Sequence, residues 1–263
     1  MKKLGFALGA GGARGIAHIG FLQAMEENDI KPYCISGSSM GSVVGACYSV
    51  GITPKKMLEI IIGIKRNDLM DLAANPLKNQ ALLKSKKMLS KIQEFLGEKT
   101  FKDLEIPFSC VAVDLYTGKS IILSGERDVA SSVAASSSIP GIFKPVQTED
   151  GLLLVDGAVR DRVPVKAVRK LGAEVIVAVD VLGDIREQKD KKFSLPSVLM
   201  RVIDIYDEGV SKQKIRRHKP DILIKPDLGE MSQYKFNRFE EAYEVGYKCG
   251  LAHVDEIKKL LND

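Results

Sequence analysis

The feature that most constrains this chain is a strand–turn–helix pattern that occurs twice near its N-terminus. Leu4-Gly5-Phe6-Ala7-Leu8 is a short apolar run that dissolves into Gly9-Ala10-Gly11-Gly12-Ala13-Arg14-Gly15. Residues 14–28 then bring Ile16, Ile19, Leu22 and Met25 round near a 3.6-residue period, as an amphipathic helix requires. Lys31-Pro32 breaks that helix, and residues 33–36 form a second short strand. Gly37-Ser38-Ser39-Met40-Gly41 is a sharp turn into the small-residue helix of residues 42–50, stopped by Gly51. Strands that alternate with helices argue for an α/β sandwich around a mainly parallel sheet.

The alternation continues. Residues 54–97 read as helical throughout, with breaks near Asn67 and Asn75-Pro76. Residues 108–113 and 120–123 resemble a strand pair around Tyr116-Thr117-Gly118, and residues 128–138 form a small-residue helix ended by Pro140. A strand at 152–155, a helix at 165–171 and a strongly apolar strand at 174–181 follow. Residues 196–215 read as helix, 221–224 as strand and 238–261 as one closing helix, with the charged stretch 186–192 as a solvated loop. The expectation is a single domain over residues 1–263, with core motifs in 4–181, a helical insertion at about 54–97 and a C-terminal strand and helix at about 221–261.

Composition narrows the function classes. With 45% hydrophobic and 28% charged residues the chain is an ordinary globular mixture. A formal charge of +5 does not imply nucleic acid as a partner, and it does not repel an anionic membrane surface. Cys34, Cys47, Cys110 and Cys249 lack Cys-x-x-Cys spacing, so they read as reduced thiols in an intracellular protein, not as a disulfide framework or a metal cluster. Lys2-Lys3 and the apolar run after them imitate a signal peptide, but Gly9, Gly11, Gly12 and Arg14 interrupt it, which favours a first strand. No apolar stretch reaches the ~18 residues that span a bilayer. The expected location is cytoplasmic, with at most peripheral contact with a membrane. No metal and no cofactor is expected, and the oligomeric state is not readable.

Gly37-Ser38-Ser39-Met40-Gly41 is a Gly-x-Ser-x-Gly pattern with Ser39 at its centre. A nucleophilic serine needs to be held out on a strained strand-to-helix turn, and small neighbours let the chain turn tightly there. A helix N-terminus also favours a developing alkoxide. The alternative is a plain Gly/Ser turn. In the first glycine-rich loop, the backbone N–H groups of Gly11 and Gly12 can face a tetrahedral oxyanion, with the Met40 N–H as a further donor. A dinucleotide fingerprint starting at Gly9 needs glycine where Arg14 stands, and a phosphate loop needs Gly-Lys-Ser/Thr where the chain has Gly15-Ile16-Ala17, so nucleotide binding is disfavoured. The three histidines are poor bases by position: His18 and His253 lie inside helices, and His218 sits among Arg216, Arg217 and Lys219. Asp156 ends an apolar run and precedes Gly157-Ala158. It is either a carboxylate pointing into a cleft, where desolvation raises its pKa, or part of an Asp-Gly turn.

Taken together, these pieces resemble the patatin-like phospholipases, including the bacterial branch similar to neuropathy target esterase. The resemblance rests on Gly11-Gly12-Ala13-Arg14-Gly15, on Gly37-Ser38-Ser39-Met40-Gly41, on Asp156-Gly157-Ala158, and on Ser136-Ser137-Ser138-Ile139-Pro140-Gly141-Ile142-Phe143 before the aspartate. It implies a three-layer α/β/α sandwich distinct from the standard α/β-hydrolase fold. It also implies a Ser–Asp dyad of Ser39 and Asp156, an oxyanion hole at Gly11, Gly12 and Met40, and hydrolysis of acyl esters of lipids without a cofactor. Arg14 resembles the family's basic loop residue, which either anchors the loop or meets a substrate phosphate. Two departures stand out: Ala10 occupies a position that is often glycine, and Arg160-Asp161-Arg162-Val163 replaces a stretch that commonly carries asparagines, which makes Asp161 a rival carboxylate. The competing reading is a catalytically silent regulatory or scaffold protein that retains the fold. Residues 57–72 with the lysines of 78–91 form either a lipid-facing cover or a helical subdomain with a solvated lysine face; the interleaving of charge favours the latter.

Overall fold

The computed structural model of the chain describes residues 2–63, 81–83, 86–185, 187 and 192–262. Its strands are β1 (Leu4–Leu8), β2 (Cys34–Ser38), β3 (Ala81–Leu83), β4 (Phe108–Asp114), β5 (Ser120–Leu123), β6 (Gly141–Phe143), β7 (Val146–Gln147), β8 (Leu153–Asp156), β9 (Val175–Val179) and β10 (Ile222–Ile224). The helices are α1 (Ala17–Glu27), α2 (Met40–Ser49), α3 (Pro54–Gly63), α4 (Lys86–Leu96), α5 (Val129–Ser136), α6 (Ala158–Asp161), α7 (Val165–Lys170), α8 (Leu195–His218), α9 (Phe239–Leu251) and α10 (Val254–Asn262). The main sheet has the order β10-β9-β1-β2-β4-β8-β7, and β5 also pairs with β4. β10, β9, β1, β2 and β4 are parallel neighbours, whereas β8 and β5 run antiparallel to β4.

Side-chain alternation along the parallel strands divides the core in two. Leu4, Phe6, Leu8, Val175, Val177 and Val179 face a large cluster that includes Ile19, Phe21, Leu22 and Met25 of α1. Ala7, Cys34, Ile176 and Ala178 face the opposite way, onto Val165 and Val168 of α7. Helices therefore cover both sheet faces, as in a three-layer α/β sandwich.

β4 determines the geometry of the site. Residues Cys110 to Val113 pair with β5 on one edge. On the other edge β2 pairs parallel with Phe108 through Val111, and β8 takes over antiparallel at Ala112. β2 ends at Ser38 opposite Val111, and β8 ends at Asp156 opposite Ala112. The two strands approach head to head along one edge of β4, so their C-terminal ends meet.

Several boundaries differ from the sequence expectation. β2 extends to Ser38 because its parallel ladder with β4 continues through Gly37 and Ser38, which shrinks the turn to Ser39 and starts α2 at Met40. The first helix opens with a 3-10 turn at Gly12–Ile16. The expected closing helix is two helices, parted at Ala252-His253. Within residues 54–97 the described part holds α3, α4 and the strand β3, which pairs with β6; the expected breaks at Asn67 and Asn75-Pro76 lie outside the described residues. A three-residue apolar run gives no period, which is why β3 reads as helix in sequence.

Candidate active site

Ser39 follows β2 directly and takes φ 51°, ψ −125°, a conformation that costs a non-glycine residue about 1–3 kcal/mol. Its surroundings hold it there. The Ser39 N–H donates to Ser136 Oγ at 3.1 Å, and Ser136 in turn donates to the Val111 carbonyl at 2.7 Å. The Ser39 carbonyl accepts from the Ser42 N–H at 2.8 Å and the Ser42 hydroxyl at 2.6 Å. The flanking glycines allow the close approach: a Cβ on Gly41 would lie 2.2 Å from the Leu8 carbonyl oxygen, and one on Gly37 2.4 Å from Ser42 Cα. The Gly-x-Ser-x-Gly pattern is thus a steric demand of packing the α2 N-terminus onto β1.

Asp156 arrives from the opposite direction at the end of β8. The Ser39 hydroxyl donates to Asp156 Oδ2 at 2.6 Å, and the Ala158 N–H donates to Oδ1 at 2.8 Å. The backbone N–H groups of Asp156 and Gly157 donate to the Ser138 and Ser136 carbonyls, so the Ser136-Ser137-Ser138 segment braces both halves of the pair. Burial pushes the Asp156 carboxyl up to about 6, against the pull of the two hydrogen bonds it accepts.

The glycine-rich loop lies beside this pair. Gly11, Gly12 and Ala10 line the same cleft as Ser39 and Asp156. Among the described residues, the N–H groups of Gly11, Gly12 and Met40 donate to no carbonyl, whereas the Ala10 N–H is committed to the Arg162 carbonyl at 2.9 Å. Alanine at position 10 therefore removes no free donor. Gly12 has φ +50°, and a Cβ there would stand 2.2 Å from the Gln233 carbonyl oxygen. Arg14 donates to the Leu182 and Gly229 carbonyls at 2.9 and 3.1 Å and is not among the cleft-lining residues. Of the two roles open to it from sequence, this geometry matches the loop anchor.

None of the three histidines bonds to Ser39 or Asp156. His18 is buried and donates through Nε2 to the Gly9 carbonyl at 2.7 Å, and burial depresses it to about 4, so it is a neutral brace under the loop. His253 Nδ1 pairs with the Cys249 carbonyl. Asp161 accepts from Lys214 at 3.1 Å and from Ser120, away from the cleft. No group of three His, Cys, Asp or Glu residues arranged to hold a metal occurs among the described residues.

The cleft encloses about 530 Å3 of empty space, solvent at its mouth included. Ile139, Pro140, Val159 and Leu182 make its sides apolar, and Met200, Ile203, Asp204 and Asp207 of α8 roof it, with Gln233 and Tyr234 beside them. This roof is the part of the site that sequence reasoning missed. Residues described within 54–97 do not line the cleft. Arg162 links roof and floor. Its buried guanidinium meets Asp180 at 2.7 Å and Asp207 at 3.3 Å, while its carbonyl holds Ala10. Burial pushes Asp207 up to about 7 in spite of Arg162. Asp204 accepts from Gln233 at 2.9 Å and from the Tyr234 hydroxyl at 3.2 Å.

A sequence model of the family described as patatin-like phospholipase matches residues 6–169, more than half of the chain. The chain belongs to the patatin-like phospholipase family. Ser39, Asp156 and both glycine-rich segments lie within the matched stretch, whereas the roof helix lies beyond it. This patatin-like chain is 34% identical over 182 residues to an uncharacterised NTE family protein of Mycobacterium bovis, covering 69% of the chain and 49% of that relative. It is 26% identical over 289 residues to the lysophospholipase NTE1 of Pyricularia oryzae, covering 98% of the chain and 19% of the fungal protein. The chain thus spans about half the length of the first relative and about a fifth of the second. Among solved structures it resembles VipD from Legionella pneumophila, with a TM-score of 0.57 at 16% identity over 97% of this chain and 67% of that one. It also resembles the type III effector ExoU, with a TM-score of 0.53 at 12% identity over 97% and 53%. At those identities the likeness concerns the fold.

Proposed function

We propose that the chain hydrolyses acyl esters of lipids, phospholipid or lysophospholipid, through a Ser–Asp dyad and an acyl-enzyme. The observation that carries this reading is the 2.6 Å hydrogen bond from the Ser39 hydroxyl to a buried Asp156, on a strained turn at the floor of a largely apolar cleft. Ser39 Oγ attacks the ester carbonyl as Asp156 takes its proton, and the oxyanion that forms is held by the N–H groups of Gly11, Gly12 and Met40. When the tetrahedral intermediate collapses, Asp156 returns the proton to the departing alcohol and Ser39 keeps the acyl group. Water then enters and attacks the acyl carbonyl as Asp156 takes its proton, and Asp156 passes that proton to Ser39 Oγ as the fatty acid leaves, which restores both groups. A carboxyl held near 6 is half ionised at mildly acidic pH, which suits a base that must also act as an acid. Family membership and a lysophospholipase among the relatives support an ester of a lipid as substrate.

The test is covalent labelling with a fluorophosphonate, together with a panel of esters graded in chain length and headgroup, with Ser39→Ala as the blank. Loss of both label and turnover in Ser39→Ala is expected. Undiminished labelling of that variant would overturn the assignment, and absence of turnover on every ester by correctly folded wild-type chain would favour the silent-scaffold reading.

A further inference from the structure

Helix α8 has two distinct faces. At 100° per residue, Met200, Ile203, Asp204 and Asp207 share an arc of about 100° that looks into the cleft. The opposite arc, about 120° wide and centred about 150° round the helix from the first, carries Val198, Leu199, Val202, Ile205 and Tyr206. In a closed helical layer this second face would be covered. Here Leu199, Val202, Ile205 and Tyr206 are 55%, 57%, 54% and 56% exposed. Beside the helix, Tyr234 bonds to Asp204 and is followed by exposed Phe236. Of the thirteen large apolar or aromatic side chains that are exposed among the described residues, eight lie in these two segments or at Phe193 just ahead of α8. An apolar patch so concentrated is a binding surface, not the ordinary scatter of exposed hydrophobics.

The surrounding charge says what kind. Within residues 192–206 and 232–238 the ionisable groups of fixed sign are Lys192, Arg201, Lys235 and Arg238, the last paired with Glu241, against a single acid, Asp204, which is turned inward onto Gln233 and Tyr234. Lys192 adjoins Phe193, and Lys235 stands between Tyr234 and Phe236. Cations next to exposed aromatics, around an aliphatic helix face, match a bilayer interface in which rings and methylenes enter the acyl boundary and ammonium groups stay among anionic headgroups. A second copy of this chain would bring the same lysines against themselves.

We infer that the outer face of α8 is the surface by which the chain docks on an anionic lipid bilayer. The inference rests on the lipid-ester reading for its purpose but not for its test.

The test uses vesicle flotation with the full chain carrying Ser39→Ala, so that binding is read without chemistry. Vesicles of phosphatidylcholine containing phosphatidylglycerol should retain the chain, and phosphatidylcholine alone should retain it more weakly, with the difference shrinking at high salt. Val202→Glu combined with Ile205→Glu should lower partitioning about tenfold or more. The milder Val202→Ser with Ile205→Ser, with its helix content and melting checked, should lower it less and without adding repulsion. In an otherwise wild-type background, both pairs should leave turnover of a short water-soluble ester unchanged while reducing turnover of vesicle-borne lipid. Equal flotation of all variants would overturn the inference. So would a wild-type dimer in sedimentation equilibrium that the same substitutions dissociate, since the face would then be covered by a second copy. If soluble and vesicle-borne esters are both untouched by wild type while flotation behaves as described, it is the hydrolase reading that fails.

Discussion

The floor of the cleft is chain fixed from several directions at once: Ser39 by Ser136, Ser42 and Asp156, Asp156 by Ala158 and Ser138, and the glycine loop by Arg162 and His18. The roof is one long helix that meets that floor through a few polar clamps, Arg162–Asp207 and Lys214–Asp161 among them, and leaves an apolar face in solvent. The floor spends buried hydrogen bonds on holding single atoms in place, as preorganised catalysis requires. The roof packs on α6 and is otherwise tied down mainly by side-chain charge. On the proposed function and docking surface, rigidity is concentrated where geometry decides rate, and adhesion where it decides access.

Substitutions can break this contrast in graded ways. The largest effects belong to the floor. Ser39→Ala and Asp156→Asn should each lower kcat by about 10^3-fold or more in an ester assay. Asp156→Asn should also stabilise the fold at pH 8. A carboxyl raised from 3.8 to about 6 contributes stability that is complete below 3.8 and lost as the pH climbs through 6, so at pH 8 the buried charge costs about 3 kcal/mol that an amide does not. Urea unfolding at pH 8 and pH 4 checks this, with the gap closing at the lower pH. Next comes the link between the two regions. Arg162→Met leaves Asp180 and Asp207 buried without their cation and should cost about 3–5 kcal/mol in the same measurement. Adding Asp180→Asn and Asp207→Asn should restore part of that loss; no recovery would mean that the arginine acts through packing alone.

A smaller effect is expected at the seam. Gly12→Ala must move against the Gln233 carbonyl and hold a left-handed φ, and should cost about 1–3 kcal/mol of stability and lower kcat about 10-fold to 10^2-fold in the fraction that remains folded. Full kcat in that folded fraction would place Gly12 in the fold and not in the chemistry. The mildest test needs no substitution. Turnover of a soluble ester should climb with pH and reach half its plateau near pH 6, as Asp156 ionises, and fall about tenfold per unit below that. A profile flat through pH 5 would remove Asp156 as the base.

The floor was legible in sequence because its demands are local. Glycines at 37 and 41 are required by contacts within a few residues of Ser39 or with the adjoining strand, and Asp156 announces itself by ending an apolar run before a glycine. Strand and helix limits were off by two residues at β2, because the ladder with β4 is a tertiary fact. The roof was not legible. Met200, Ile203 and Asp207 reach the cleft only through packing of α8 onto α6, Gln233 and Tyr234 come from the loop between β10 and α9, and Arg162, Asp180 and Asp207 are joined by no sequence pattern. One signal was available: between 198 and 206 apolar residues occupy more of the α8 circumference than a single buried face needs.

The head-to-head meeting of β2 and β8 has a consequence for how the chain acquires its reactivity. Ser39 and Asp156 are 117 residues apart, and they come within hydrogen-bonding reach only when two oppositely running strands have both annealed to β4. Such non-local pairings close late, after local helices and turns have formed. On the proposed function, the nucleophile is therefore assembled by one of the last events of folding. During refolding, fluorophosphonate reactivity should lag behind the return of helical signal, and a partly folded chain exposes no armed serine to the cell.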